Sequence, residues 1–301
     1  MNIVVAGGNG FIGSSVVPRL RREGHEVVVL TRARSEHAPR TEDALRVPWD
    51  GVSQGEWSRY VGRSDAVINL SGESIGTGRW TASRKRLITE SRINATRALL
   101  EAIRGSSPRP SVFINSSAVG YYGPVESGDV AEDHPPGTGF LADLCVRWEQ
   151  EAFAAAELGC RVVVLRTGVV LGENGGALER MILPFRLYAG GPVGSGKQWF
   201  PWVHRDDVAG VILFALANPA LSGPVNVVAP AGVTMNEFCA SLGTALSRPS
   251  WLPVPAFALR AALGEMAGMI LTGQRAVPSQ LVRLGYQFAY PAVAPALASV
   301  V

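Results

Sequence analysis

The chain has 301 residues, 47% of them hydrophobic and 18% charged, which excludes a disordered or fibrous protein and allows a substantial core. Its 28 lysines and arginines nearly balance 25 acidic residues, so the formal net charge of +3 predicts no dedicated nucleic-acid surface. Cys145, Cys160 and Cys239 and the four histidines show no metal-ligand spacing, which predicts a reducing compartment and no bound metal.

Short β-branched runs alternate with amphipathic segments in the N-terminal half. This rhythm is typical of βαβ units and of a parallel sheet that is buried on both faces. The predicted strands are Ile3 to Ala6, Glu26 to Thr31, Ala44 to Val47, Ala66 to Leu70, Val112 to Ser116 and Arg161 to Arg166. The predicted helices between them are Ile12 to Glu23, Thr81 to Ile103 and Leu141 to Leu158. Pro18 lies inside the first helix and predicts a kink there.

Beyond Gly172, connections rich in glycine and proline surround shorter elements. Helices are predicted at Ala177 to Ala189, Asp206 to Ala217, Met235 to Ser247 and Ala256 to Leu271. The stretch from Val208 to Asn236 carries no charge, but its Asn, Gly and Pro residues predict a buried helix, a turn and a buried strand rather than a membrane-spanning helix. An apolar strand begins at Asn2 and leaves no room for a secretory signal, so a cytoplasmic protein is predicted.

A glycine turn connects the first strand to the first helix in the segment from Asn2 to Gly13. Gly7 permits a tight turn, Gly10 lets the backbone approach a pyrophosphate, and Gly13 lets helix and strand pack closely. The start of the helix offers N–H donors and positive potential to an anion. This context predicts a dinucleotide site, with a purely structural turn as the alternative.

The end of the second strand indicates which dinucleotide binds. An acidic residue there would accept the ribose hydroxyls of NAD, whereas an arginine accommodates the 2'-phosphate of NADP. The chain has Arg32 directly after the strand and no carboxylate from Thr31 to Arg34, the first being Glu36. NADP(H) is therefore the predicted cofactor, with a solvated loop arginine as the alternative.

Further motifs follow in order along nearly the whole chain. They include Asn69 to Glu73, Arg79-Trp80-Thr81, Ser116 to Gly123, Arg166 to Gly172, His204 to Asp207 and Gly273-Gln-Arg275. In these motifs the sequence resembles the extended short-chain dehydrogenase/reductases, and within them an atypical group of NAD-dependent epimerase/dehydratase-like proteins with a C-terminal domain of unknown function. The resemblance implies an α/β fold, namely a Rossmann-type doubly wound parallel sheet with a smaller C-terminal α/β substrate subdomain.

The predicted NADP-binding domain covers residues 1–171, with 203–228 contributing to it, and the substrate subdomain covers 172–202 and 229–301. The resemblance also implies residues along the cofactor, from its pyrophosphate to its nicotinamide. For the pyrophosphate they are Gly7, Gly10, Phe11, Ile12 and Gly13, and for the adenosine 2'-phosphate they are Thr31 and Arg32. Leu70 and Ser71 would follow the adenine ribose and diphosphate, Arg92 would lie near the cofactor, and Val169 and Val170 would lie beside the nicotinamide.

The catalytic residues of the wider superfamily are only partly present. There a serine at the end of the fifth strand orients the substrate oxygen, and a tyrosine with a lysine four residues later transfers the proton. Ser117 matches the serine. Where the tyrosine and lysine should open the next helix, the chain has Phe140 and Leu144, which can neither transfer a proton nor supply a cation.

Three hypotheses address the missing catalytic tyrosine and lysine. In the first, Tyr121 or Tyr122 moves the proton, since both follow Ser117 closely at the carboxyl end of a strand; packing is the alternative role for both. In the second, a residue on the substrate side, such as Glu73, Lys197 or His204, is the acid or base. In the third, the protein binds NADPH and a ligand but turns over slowly or not at all.

The predicted function is hydride transfer to or from a small oxygenated substrate, or an epimerisation that uses such transfer. Predicted substrate contacts are Glu73, Trp80, Lys197 and His204. Gly191 to Lys197 fits a phosphate-binding loop, but Gln198 replaces the required hydroxyl residue, so a substrate-flanking loop is predicted. The basic run Arg84 to Arg86 is predicted to be a solvated face. The predicted partner is a small molecule, with no nucleic acid and no membrane, and the predicted state is a monomer or a homodimer.

Overall fold

The computed structural model describes residues 1–32 and 44–301. The strands are β1 (Asn2–Ala6), β2 (Glu26–Thr31), β3 (Leu45–Pro48), β4 (Ala66–Asn69), β5 (Val112–Ala118), β6 (Asp129–Val130), β7 (Arg161–Thr167), β8 (Val169–Leu171), β9 (Trp199–Phe200), β10 (Trp202–His204), β11 (Gly223–Val227), β12 (Val233–Thr234) and β13 (Arg275–Ala276).

The α-helices are α1 (Gly13–Arg22), α2 (Ser58–Val61), α3 (Ala82–Arg104), α4 (Phe140–Glu157), α5 (Leu178–Arg186), α6 (Arg205–Ala217), α7 (Met235–Leu246), α8 (Ala256–Leu263), α9 (Gly268–Leu271), α10 (Ser279–Arg283) and α11 (Val293–Ala298). Two 3-10 helices lie at Val119–Tyr122 and Gly264–Ala267. The predicted helix from Ala256 to Leu271 is wrong as one element, because α8 ends at Leu263 and is followed by Gly264, whose φ of 62° breaks the helical geometry.

One parallel sheet of seven strands organises the described residues, in the order β11-β7-β5-β4-β1-β2-β3. Strand β1 pairs with β2 on one side and with β4 on the other, so the chain winds outward from it in both directions. Parallel strands all point the same way, so their carboxyl ends meet at one edge, where such sheets bind ligands. The predicted Rossmann-type doubly wound fold is confirmed.

Alternating side chains of β1 show how the sheet is buried on both faces. Ile3 and Val5 pack with side chains of α1 and α6 on one face. Val4 and Ala6 pack with side chains of α3 and α4 on the other. Because both faces are covered, the strands are continuous apolar runs, as the sequence predicted.

The C-terminal part has its own hydrophobic cluster, which includes Phe200, Trp202, Phe238 and Leu297. Helices α5, α7 and α11 pack around it, and β9 pairs antiparallel with β12. This is the smaller C-terminal α/β subdomain, whose boundaries remain a prediction. The uncharged stretch from Val208 to Asn236 contains most of α6, a turn and the buried strand β11, as predicted. Across residues 1–32 and 44–301, no helix is long and apolar enough to cross a membrane.

Candidate functional site

The glycine turn lies against the end of β4. Gly7 has a φ of 80°, and a Cβ on it would lie 2.7 Å from the carbonyl carbon of Leu70. A Cβ on Gly13 would lie 2.5 Å from the Gly7 carbonyl oxygen. Both glycines are therefore required by close backbone approach, as the sequence predicted.

Helix α1 begins directly after this turn without a side-chain cap, and the Ser14 N–H donates to the Gly10 carbonyl oxygen at 2.9 Å. Within the described residues no side chain caps it, and no acidic residue lies in its first turn. The first N–H groups of a helix need acceptors from outside the helix, and the macrodipole is positive at that end. The turn with Gly10, Phe11 and Ile12 therefore fits a pyrophosphate group.

Asn9 joins the glycine turn to the end of β2. Its Nδ2 donates a hydrogen bond of 2.9 Å to Thr31 Oγ1, while its buried Oδ1 has no partner among the residues described. Arg32 follows Thr31 and is exposed. The predicted 2'-phosphate residues thus lie beside the turn. Arg34 and Glu36 lie outside the described residues.

Arg92 brings a cation from α3 to the end of β4. Its guanidinium donates to the carbonyl oxygens of Glu73 at 2.9 Å and Ile88 at 3.0 Å, and it lies 5.2 Å from the Trp148 ring centroid. Burial lowers the pKa of Arg92 to about 10. Within the described part of the chain it has no carboxylate partner at salt-bridge distance, so its charge is available to an anionic ligand.

The segment after β8 packs on the glycine turn from the C-terminal side. A Cβ on Gly176 would lie 2.8 Å from Phe11 Cε1, and the Arg205 guanidinium lies 5.2 Å from the Phe11 ring centroid. Val169 and Val170 in β8 are half-buried, and Val170 packs against the sheet core. Phe11 therefore connects the turn to the elements that carry the predicted nicotinamide residues.

A buried polar network lies at the carboxyl ends of β5 and β7. The Arg166 guanidinium donates to both oxygens of Glu149, at 2.9 and 2.8 Å, and to Tyr122 Oη at 2.9 Å. Ser117 Oγ donates to Glu149 Oε1 at 2.6 Å. Tyr122 Oη in turn donates to Asn226 Oδ1 at 2.7 Å. All five side chains are buried.

This network was missed from the sequence, although one signal was present. An arginine that ends a strand of apolar residues, as Arg166 does after Val162 to Leu165, requires a buried partner. The partner Glu149 lies on α4 and Asn226 lies on β11, so only the fold brings them together.

The structure favours packing, the alternative role, for Tyr122. Its side chain is 1% exposed, its hydroxyl already bonds Arg166 and Asn226, and burial raises its pKa to about 12. Tyr121 differs because it is half-buried and its hydroxyl has no hydrogen bond within the described residues. The Arg166 Cζ atom lies 3.5 Å from the Tyr121 ring centroid. Of the two tyrosines, Tyr121 alone has a hydroxyl available to a ligand.

Replacing Tyr122 with phenylalanine is expected to destabilise the protein by about 1–3 kcal/mol, because Asn226 Oδ1 and one Arg166 N–H lose their partner in the core. Urea unfolding followed by circular dichroism measures this change. Tyr188→Phe is the matched control, since Tyr188 is 57% exposed, and it should leave stability unchanged. Equal stability of the two variants would contradict a structural role for the Tyr122 hydroxyl.

His204, a predicted substrate contact, caps a helix and packs in the core. Its Nδ1 accepts a hydrogen bond of 3.1 Å from the Asp206 backbone N–H and so caps helix α6. Its ring lies 3.8 Å from the ring of Tyr290, and it is 4% exposed. Burial lowers the pKa of His204. The imidazole is a neutral core residue that joins α6 to the C-terminal segment.

Lys197 is exposed on the loop before β9. The Asn236 N–H donates to the Gly196 carbonyl oxygen at 2.9 Å, which joins this loop to the start of α7. Strand β9, rather than a helix, begins after Lys197, in agreement with the prediction that the Gly191 to Lys197 segment is not an ATP-binding loop.

Phe140 begins α4, where the catalytic tyrosine was missing. The Trp80 ring meets the Phe140 ring edge-on with centroids 5.0 Å apart, and Lys85 Nζ lies 5.2 Å from the Phe140 centroid. Glu73 accepts a hydrogen bond of 3.0 Å from Arg84. Glu73 therefore lies beside Arg92, which donates to its carbonyl oxygen, and Trp80 lies against the start of α4.

The predicted solvated face is wrong for two of its three residues. The side chains of Arg84 and Lys85 are 17% and 27% exposed, and they pair with Glu73 and Glu265. Only Arg86 is well exposed, at 72%. No local pattern predicts the Lys85–Glu265 pair, since Glu265 lies 180 residues from Lys85.

Comparisons with known proteins match both parts of the chain. The model of the NAD dependent epimerase/dehydratase family matches residues 3–228. The model of a domain of unknown function, DUF1731, matches residues 254–300. Together these two models cover the sheet with the glycine turn and the segment that contains α8 to α11.

Similar proteins align over nearly their whole length. The chloroplastic epimerase family protein SDR39U1 homolog of Arabidopsis thaliana is 44% identical, over 100% of this chain and 86% of the relative. The epimerase family protein YfhF of Bacillus subtilis is 40% identical, over 96% of this chain and 94% of the relative. The crystal structure of human epimerase family protein SDR39U1 (isoform 2) with NADPH has a TM-score of 0.88 and is 36% identical in sequence. The match covers 100% of this chain and 99% of the human chain.

Proposed function

From the premise that this chain belongs to the NAD dependent epimerase/dehydratase family, we propose that it binds NADP(H) and transfers hydride to or from a small oxygenated substrate. The observation that carries the proposal is the start of α1, which no side chain of the described residues caps, joined through Asn9 to the strand end that bears Arg32. The first feature suits a pyrophosphate and the second suits a 2'-phosphate. The human relative that was solved with NADPH supports the same choice of cofactor.

The residues present fit this cofactor. Gly7, Gly10, Phe11, Ile12 and Gly13 would hold the pyrophosphate, Thr31 and Arg32 the 2'-phosphate, Leu70 and Ser71 the adenine ribose and diphosphate, and Val169 and Val170 the nicotinamide. Arg92 would place its charge near the diphosphate, since it donates to the Glu73 carbonyl just beyond Ser71. The buried Oδ1 of Asn9, which lacks a partner in the described residues, would accept a hydrogen bond from a ligand.

Bound NADPH would supply the hydride, and Tyr121 would donate a proton to the substrate oxygen. Tyr121 regains its proton from water between turnovers. Ser117 would hydrogen-bond the reacting oxygen; because a serine hydroxyl has one proton, Ser117 must turn it from Glu149 to the substrate. Glu73, Trp80 and Lys197 would contact the rest of the substrate.

A second candidate function is an NADPH-binding regulatory protein with little or no turnover. Phe140 and Leu144 favour it, since neither can move a proton or supply a charge. Under either function we place the protein in the cytoplasm as a monomer or homodimer that binds small molecules, as the sequence predicts.

The proposal is tested by turnover of a panel of carbonyl compounds and nucleotide sugars. The loss of the reduced-nicotinamide absorbance measures this turnover. Tyr121→Phe is expected to lower kcat by about 100-fold or more, the contribution of a positioned general acid, with NADPH affinity unchanged. Tyr122→Phe is the matched control and should keep kcat within about threefold at a temperature where it is folded.

Two other results would contradict this assignment. Unchanged kcat in Tyr121→Phe would remove Tyr121 from the mechanism. Absence of turnover across the panel, combined with compounds that raise the melting temperature only when NADPH is present, would establish the regulatory function instead.

A further inference from the structure

Three cationic side chains connect the loop from Glu73 to Trp80 and the start of α3 to the C-terminal part of the chain. Arg79 Nε donates to the Ala262 carbonyl oxygen at 3.0 Å, and its terminal nitrogen donates to Ala261. Lys85 forms an ion pair with Glu265. Arg180 on α5 donates to the Gly76 carbonyl oxygen.

Helix α8 depends on these contacts to an unusual degree. None of its residues is buried, and Phe257 is 75% exposed. A helix without a buried face gains little from packing against the core, and elements with few buried apolar contacts open most readily. Arg79 binds the last carbonyl groups of α8, where the macrodipole is negative, so this contact is favourable in charge as well as in geometry.

The fastened loop lies over the carboxyl edge of the sheet. It follows Ser71, whose backbone N lies 2.8 Å from where a Gly7 Cβ would be, and it precedes Thr81, the N-cap of α3. Lys85 lies over the ring of Phe140, which begins the helix after β5. The loop therefore spans the cleft between the glycine turn and the start of α4, and Arg79 joins α8 to this loop.

We propose that the loop from Glu73 to Trp80 and helix α8 form a gate over this cleft, and that Arg79 and the Lys85–Glu265 pair are the latch that opens for ligand exchange. The inference rests on the proposed NADP(H) site for the identity of the ligand. The side chains of Lys85 and Glu265 are 27% and 52% exposed. Ion pairs of this exposure are weak, so the latch opens and re-forms without unfolding the subdomain.

Exchanging the charges of Lys85 and Glu265 tests the latch. The measured quantity is the dissociation rate of NADPH, followed by stopped-flow fluorescence. Lys85→Glu is expected to raise this rate about three- to tenfold, because two carboxylates then face each other. Adding Glu265→Lys to this variant restores the pair and should return the rate to within about twofold of the starting value. Arg79→Ala should raise it about tenfold, since the Ala261 and Ala262 carbonyl oxygens lose a charged donor.

Arg86→Glu is the matched control. It makes the same change in net charge one residue away, on a side chain that is 72% exposed, and should leave the rate nearly unchanged. Equal rates in Lys85→Glu and Arg86→Glu, or no recovery in the exchanged pair, would overturn the latch.

Hydrogen exchange of the α8 amides separates this inference from the proposed cofactor. Lys85→Glu is expected to speed their exchange several-fold without any ligand, and the exchanged pair is expected to slow it again. If the unaltered protein fails to bind NADPH, the proposed function fails, while the exchange rates still decide whether the latch holds α8. Unchanged exchange in α8 would overturn the latch whatever the ligand.

Discussion

Replacement of Arg166 with methionine is expected to lower the free energy of unfolding by about 3–5 kcal/mol, because it leaves the Glu149 carboxylate buried without a cation. Arg166 and Glu149 side chains are 4% and 5% exposed and share two hydrogen bonds. The same change also removes the donor to Tyr122 Oη. Urea unfolding followed by circular dichroism measures the effect.

Arg104→Met is the matched control, since Arg104 pairs with Glu101 on the surface and both side chains are 54% exposed. Its effect should stay below about 1 kcal/mol. Adding Glu149→Met to Arg166→Met should recover part of the loss, because removing both charges costs less than leaving one alone. A single Arg166→Met variant as stable as Arg104→Met would contradict a structural role for this pair.

Local patterns were sufficient to predict the sheet and the glycine turn. Buried parallel strands are continuous apolar runs, so β2 and β7 were predicted within one residue of their observed ends. Gly7 and Gly13 were recognised because a glycine is required where backbones approach closely, and the structure places each against a neighbouring backbone. These signals lie within a few residues of one another and need no tertiary information.

The polar side chains of the site could not be assigned in the same way. Tyr121 and Tyr122 are adjacent and chemically identical, and only their burial in the folded chain distinguishes them. Lys85 looked solvated because its partner Glu265 is distant in sequence. The role of His204 could have been predicted from the sequence. It lies just before the predicted start of a helix at Asp206, where a polar residue is a capping signal.

The network also explains why loss of the usual tyrosine and lysine does not disrupt the fold. Glu149 holds Ser117 on β5 and Arg166 on β7, which fixes the two neighbouring strands at the edge where ligands bind. Arg166 in turn lies against the Tyr121 ring. The position of Tyr121 therefore depends on a buried ion pair that is independent of Phe140 and Leu144.

Arg32→Glu is expected to weaken NADPH binding by about 10- to 100-fold while changing NADH binding by less than about threefold. A charged hydrogen bond to a phosphate contributes roughly 1.5–3 kcal/mol, which converts to this range of affinity. The introduced carboxylate would repel a 2'-phosphate but would accept hydrogen bonds from the ribose hydroxyls of NADH. Isothermal titration calorimetry with both dinucleotides gives the two dissociation constants.

Arg63→Glu controls for the change in net charge. Arg63 is exposed just before β4, at the edge of the sheet opposite the glycine turn, so a local effect at Arg32 should be absent there. Long-range repulsion of a dinucleotide from that distance is largely screened at physiological salt. An equal loss of NADPH affinity in both variants, or an unchanged ratio of NADPH to NADH affinity in Arg32→Glu, would show that Arg32 is a solvated loop arginine and that the choice of dinucleotide is made elsewhere.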